Sequence, residues 1–307
     1  MSHRGSSAPS SIELVDTLHA VFGRHRCARA SHAKGLCAVG RFVPTPAAAR
    51  FCRAATFAAA SSRATLRFSI GGGNPSVSDK SRTVRGLGVR LHPAEGVTHD
   101  LVLISEPVFF AATLESFVSF LHARIPDPLT GKPDPSKVAA HEVCFPDGAR
   151  QPALLAAHAA PASYVSTPYF SNHAFRFLAP DGRATWARLV LEPEAGTRYL
   201  TTAAESTLSD DFLTDELTQR LANAPARFQW LAQLAGAGDS LSDPSQPWQE
   251  HGGERVALGT LQIDAIVAAE GCDAFVPTRL PDGIEPAEDE ILLARAGAYG
   301  VSQAERR

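Results

Sequence analysis

Several things are missing from this chain. No stretch approaches 18 uninterrupted apolar residues, so nothing reads as a membrane span. The opening Met-Ser-His-Arg-Gly-Ser-Ser-Ala-Pro-Ser lacks the continuous apolar run of an export signal. The five cysteines, Cys27, Cys37, Cys52, Cys144 and Cys272, are odd in number and contain no C-x-x-C pair. A disulfide framework and a zinc ribbon are therefore not expected, and reduced thiols in a cytoplasmic protein fit best. Charge of one sign is not in excess: 29 basic against 32 acidic residues give a formal net charge of -3, which offers no broad attraction for nucleic acid or anionic lipid. There is no P-loop, no H-E-x-x-H and no serine in a G-x-S-x-G turn. Gly71-Gly72-Gly73 lacks the Lys-Ser/Thr and helix that a phosphate cradle needs, and reads as a turn.

What is present suits a globular chain. With 307 residues, 44% of them hydrophobic and 20% charged, a sizeable core can form and disorder is excluded. One domain over residues 1–307 is the expectation, with residues 1–9 frayed ahead of a capping box at Ser10-Ser11-Ile12-Glu13. Leu14, Val15, Leu18, Val21 and Phe22 then recur at helical spacing. From Leu66 the period becomes two, through Leu66 to Ile70, Leu87 to Leu91 and Leu101 to Ile104, which predicts strands. Asp181-Gly182 between apolar runs predicts a hairpin over 174–192. Phe212, Leu213, Leu217, Leu221, Phe228, Leu231 and Leu234 read as helix faces, divided into two helices at Pro225. Val256 to Ile263 returns to strand character, residues 276–289 with three prolines follow an extended path, and Ile291 to Ser302 is helical. Strands first and helices late make an α+β chain built on an antiparallel β-barrel with peripheral helices.

One segment carries more specific information. Arg29-Ala30-Ser31-His32-Ala33-Lys34-Gly35 resembles the distal histidine motif of the catalase superfamily. Leu66-Arg67-Phe68-Ser69, Val84-Arg85-Gly86, His99-Asp100-Leu101-Val102 and Pro107-Val108-Phe109-Phe110 resemble later blocks of that superfamily, in the same order. Near the end, Pro281-Asp282-Gly283-Ile284-Glu285-Pro286 leads into Asp289, Arg295 and Tyr299, which resembles the family's D…R-x-x-x-Y arrangement. The likeness runs from about Arg29 to Arg306 and is greatest to the short catalase-related peroxidases.

That resemblance implies a catalase-like fold holding haem b, with Tyr299 as the proximal iron ligand and His32 as the distal acid–base group. A tyrosine binds ferric iron well only as the phenolate, and its ordinary pKa is about 10, so a cation must stabilise the anion. Arg295, four residues earlier on the same helix face, is placed to do so, and Asp289 and His173 resemble the residues that hold this arginine. The implied role of Ser69 is to orient His32. Arg29, Arg67 and Arg306 match positions that pair with haem propionates, a use suited to a bidentate guanidinium. Phe109, Phe110 and Phe117 are expected to wall off the distal side.

One departure sets the expected activity. Where catalases carry D-L-V-G-N-N-x-P, this chain reads Asp100-Leu101-Val102-Leu103-Ile104-Ser105-Glu106-Pro107, with Ser105 taken to stand in the distal asparagine's place. A shorter hydroxyl should weaken dismutation of peroxide while oxidation of organic donors survives. The expectation is a peroxidase that consumes hydrogen peroxide or organic hydroperoxides at the expense of a small organic donor, as a monomer or homodimer. A true catalase, an allene oxide synthase-like enzyme that rearranges hydroperoxides, and a haem carrier without turnover are the rivals.

Overall fold

The computed structural model describes residues 8–248, 253–268 and 272–306. The described strands are β1 (Gly35–Pro44), β2 (Ser62–Ile70), β3 (Arg85–Ala94), β4 (Val97–Ile104), β5 (Tyr169–Phe170), β6 (Phe175–Leu178), β7 (Ala184–Pro193), β8 (Ala226–Leu234), β9 (Arg255–Val267) and β10 (Ile284–Pro286). They run antiparallel in the order β10-β6-β7-β5-β4-β3-β2-β1-β9-β8, and β8 also pairs with β7. That extra pairing closes an eight-stranded barrel and leaves β6 and β10 as a short extension. Closure removes the free edges that an open sheet would expose.

The helices are α1 (Ser11–Phe22), α2 (Pro46–Phe51), α3 (Ala55–Ala58), α4 (Leu114–His122), α5 (Pro135–Cys144), α6 (Arg150–Ala156), α7 (Thr202–Thr207), α8 (Phe212–Asn223) and α9 (Glu290–Ala304). The capping box of α1 forms as expected: Glu13 N–H donates to Ser10 Oγ at 3.2 Å and Ser10 N–H to Glu13 Oε2 at 2.6 Å. The residues expected to be frayed ahead of it lie, for 1–7, outside the described residues. The hairpin turns at Gly182 with φ 84°, a left-handed conformation that glycine adopts without steric cost.

Two expectations about chain order fail. The apolar run after Pro225 is not a second helix but β8, in which Ala226, Phe228, Trp230 and Ala232 are buried while Arg227 and Gln229 are exposed. Alternation over these residues is the strand signature, and spacings of three and four among the leucines imitate a helix only by accident. Helices are also not gathered at the end, because α2 to α6 interrupt the strands and β8 and β9 come late. The cysteine expectation fails too. Cys37 and Cys272 are joined in a disulfide across 235 residues of sequence, while Cys27, Cys52 and Cys144 are free.

Strand alternation divides the barrel wall into two faces. Leu66, Phe68 and Ile70 of β2, Leu87, Val89 and Leu91 of β3, and Leu101 and Leu103 of β4 join the barrel core with Phe42, Tyr164, Tyr169 and Trp230. Arg67 and Ser69, Gly86 and Gly88, and Val102 and Ile104 take the opposite parity and line a cavity between the barrel and helices α1, α4 and α9.

Candidate active site

The cavity has a volume of about 800 Å³. His32, in a turn at φ 55°, lines it together with Ser69, and the imidazole Nδ1 lies 3.0 Å from Ser69 Oγ. Ser69 donates its single proton to the Gly86 carbonyl at 3.4 Å, so the hydroxyl accepts from Nδ1–H and the Nε2 lone pair remains available. Burial first, then the positive charges of Arg67, Arg295 and Arg29, push the His32 pKa down to about 3. The group is therefore a neutral base near pH 7. Gly86, opposite Ser69 on β3, makes room for the ring, because a Cβ there would come within 2.6 Å of both His32 Nδ1 and Ser69 Oγ. Gly88 likewise admits Phe275, whose ring would meet a Cβ at 2.7 Å. Neither glycine had been assigned a role from sequence, although glycine inside a strand marks a close approach of this kind.

Across the cavity, α9 carries a continuous hydrogen-bonded chain. Arg295 donates to the Tyr299 hydroxyl oxygen from Nε at 3.0 Å and from Nη2 at 2.6 Å. The helix places these residues one turn apart on one face. Arg295 Nη1 is 2.9 Å from His173 Nε2, and His173 Nδ1 is 2.6 Å from Asp289 Oδ2. Arginine can only donate, so Nε2 accepts and Nδ1–H donates to the carboxylate, which defines the tautomer. Burial lowers the His173 pKa in spite of that carboxylate, and keeps the ring neutral. Asp289 is also the N-cap of α9, its side chain accepting from Leu292 N–H at 3.1 Å.

A third group consists of arginines. Arg67 donates to the carbonyls of His32 at 2.9 Å and Ala33 at 3.0 Å, and Arg29 donates to the Cys272 carbonyl at 2.8 Å. Arg306 lines the same cavity. Burial, aided by the positive charge of the neighbouring arginines, lowers Arg67 to about 9 and Arg29 to about 10. Among the described residues, Arg29, Arg67, Arg82, Arg295 and Arg306 line the cavity and no aspartate or glutamate does. A water-poor site with clustered guanidinium groups and no carboxylate is built to receive an anion.

The structure thus brings together His32, Ser69, Arg29, Arg67, Arg295, Arg306, Phe110 and Tyr299 at one cavity, with His173 and Asp289 supporting them from behind. Phe109 and Phe117 also line it, and Phe110 stacks at 4.4 Å on Phe120. Ser105 is the exception. Its Oγ accepts from Arg85 N–H at 2.9 Å, it lies one residue past the end of β4, and it does not line the cavity, whereas Val102, Leu103 and Ile104 do. The buried amide Asn172, which donates to the Glu106 carbonyl at 2.9 Å, also reaches the cavity wall.

Comparisons with known proteins bear on the family and the fold. A protein-family model described as Catalase matches residues 1–307. A catalase-related peroxidase of Synechococcus elongatus is 34% identical over 299 residues, covering 96% of this chain and 88% of that protein. A catalase-related peroxidase of Mycolicibacterium paratuberculosis is 36% identical over 296 residues, covering 94% and 92%. Among solved structures, a fungal catalase superposes with a TM-score of 0.82 at 21% identity; 99% of this chain matches 65% of that one, so this likeness concerns the fold.

Proposed function

Since this chain belongs to the catalase family, we propose that it is a haem b peroxidase in which Tyr299 would hold the iron and His32 would move the proton of the peroxide. The observation that carries this reading is the pairing, across one cavity, of a neutral imidazole with a tyrosine oxygen held by two arginine N–H groups.

Haem suits the residues present. Its propionates answer the clustered Arg29, Arg67 and Arg306, and its apolar ring suits walls of Val102, Ile104, Phe109 and Phe275. Tyr299 is the residue that would hold the iron. When bound, haem would supply the redox chemistry of peroxide O–O cleavage, which an electron-rich phenolate ligand would favour. The chain's own residues handle the protons. Arg295 stabilises the Tyr299 oxygen as an anion through two charge-assisted hydrogen bonds. His173 and Asp289 hold that guanidinium in position, so orientation is established before a ligand arrives. On the other side, His32 Nε2 accepts a proton from one peroxide oxygen and returns it to the other, which becomes the leaving water or alcohol. Ser69 keeps Nε2 directed at the cavity by accepting from Nδ1.

Ile104 favours donor oxidation over dismutation. An apolar side chain in the wall offers no hydrogen bond to a second peroxide molecule, so its oxidation to oxygen receives little support from the wall. The test is the optical spectrum of the purified, haem-reconstituted protein, followed by hydrogen peroxide consumption with and without an organic donor while dissolved oxygen is recorded. A high-spin ferric spectrum with donor-dependent consumption and little oxygen is expected. Vigorous oxygen release would make the protein a working catalase, consumption of organic hydroperoxide without any donor would make it a rearranging enzyme, and haem uptake without turnover would leave a carrier.

A further inference from the structure

Most residues that line the cavity are buried or half-buried; the exposed ones are Arg82, Pro152 and Ala156, so it reaches the surface at the β2–β3 connection and at α6. Arg82 stands between β2 and β3, next to Thr83 and Val84, which also line the wall, and its side chain has no hydrogen bond or ion pair among the described residues. Acids on the adjoining loops are already engaged: Asp79 and Asp211 each lie 2.7 Å from Lys34, and Asp210 lies 3.2 Å from Lys80. Leu155, Leu121, Phe120, Phe110 and Ile104 give the cavity an apolar wall. A hydrophobic lining with one exposed cation at its mouth matches a molecule with an apolar body and an anionic end.

We infer that Arg82 is a specificity-determining residue that selects hydroperoxides bearing an apolar chain and a carboxylate. In this arrangement the chain lies along Phe110, Phe120, Leu121 and Leu155, and the carboxylate pairs with the Arg82 guanidinium, whose planar fork suits a bidentate contact. The peroxide end then reaches His32. Neutral hydrogen peroxide gains nothing from Arg82, so the selection acts only on the larger substrates. This inference rests on the peroxidase reading above.

The haem-loaded protein should be assayed with the hydroperoxide of linoleic acid and with the methyl ester of the same hydroperoxide, both kept below micelle formation, in the presence of an organic donor. The free acid is expected to have a kcat/KM about tenfold higher than the ester, through KM, and the preference should shrink as salt is added. Arg82→Gln should bring the acid-to-ester ratio toward one, while Arg183→Gln, which removes an exposed arginine at the β6–β7 turn, should leave the ratio as it was. Equal kcat/KM for acid and ester in the parent protein would overturn the inference, as would a preference that survives Arg82→Gln or falls equally in Arg183→Gln. If hydrogen peroxide is consumed and neither lipid hydroperoxide is, the inference fails alone. If no peroxide of any kind is consumed, the peroxidase reading fails with it.

Discussion

The two sides of the cavity are built on opposite principles. On the α9 side, Tyr299, Arg295, His173 and Asp289 satisfy one another in an unbroken chain that ends on a helix cap. Every charge there has a partner within the protein. Around Arg29 and Arg67 the protein instead holds cations in a poorly solvated place against backbone carbonyls, with pKa values drawn down toward 9 and 10. The first region is satisfied within the protein, whereas the guanidinium groups of the second meet backbone carbonyls and line a cavity that no carboxylate lines among the described residues. Where the two differ, one shows how a reactive oxygen is held in advance, and the other how binding energy is kept in reserve for a ligand.

Substitutions can sharpen or break that contrast. The largest effect is expected from His32→Gln, which removes the acid–base group without disturbing the α9 chain: peroxide turnover should fall by about 10²- to 10⁴-fold with the haem spectrum retained. Loss of haem together with activity would show that the ring serves packing instead. Asp289→Asn keeps the helix cap and deletes the charge that orients His173 and Arg295. Turnover should fall by about 10- to 100-fold, and the absorbance of the bound haem should shift because the Tyr299 oxygen loses part of its support. Arg67→Gln acts on the other region, where haem affinity should weaken by about tenfold while the melting temperature of the haem-free protein changes little. An apo protein destabilised as much by this change as by Asp289→Asn would remove the distinction between the two sides.

The mildest prediction near neutrality concerns acid. His32 and His99 are each held at a pKa of about 3 in the folded chain, His99 by burial alone, whereas an unfolded chain protonates them near 6.5. Protons therefore bind the unfolded state in preference as pH falls through about 6.5. Stability of the haem-free protein should decline from there, at a slope approaching about 1.4 kcal/mol per pH unit for each histidine until the folded rings also titrate. Denaturant midpoints between neutral and mildly acidic pH measure it, and His99→Gln should reduce the slope. An unchanged slope would mean that His99 is not held neutral in the folded chain.

Much of the candidate site could be read from the chain itself. Arg295 and Tyr299 are one helical turn apart whatever surrounds them, so an apolar-periodic segment with that spacing already puts a cation beside a phenol. Ser10 and Glu13 announce the start of α1, and the alternation at Leu66-Arg67-Phe68-Ser69 states that Arg67 and Ser69 share a face. The motif resemblance pointed to Ser105, which lies one residue past the end of β4 and does not line the cavity, whereas Ile104 does. After Pro225, two periodicities competed over a run rich in apolar residues, and pairing of β8 with both β7 and β9 decided for the strand.

By itself, then, the sequence determined the local patterns: which segments are strands or helices over most of the chain, which residues share a face, and which types could bind iron or move a proton. These depend on periods of 2 and 3.6 residues and on caps, all of them short-range. Only the tertiary structure decided that Arg29 meets the Cys272 carbonyl, that His173 supports Arg295, that Cys37 and Cys272 join, and that Arg82 lines the cavity without a hydrogen bond or ion pair among the described residues. Such contacts span from about one hundred to more than two hundred residues of chain. Closure of the barrel brings their ends together, and no local period encodes where those ends will meet.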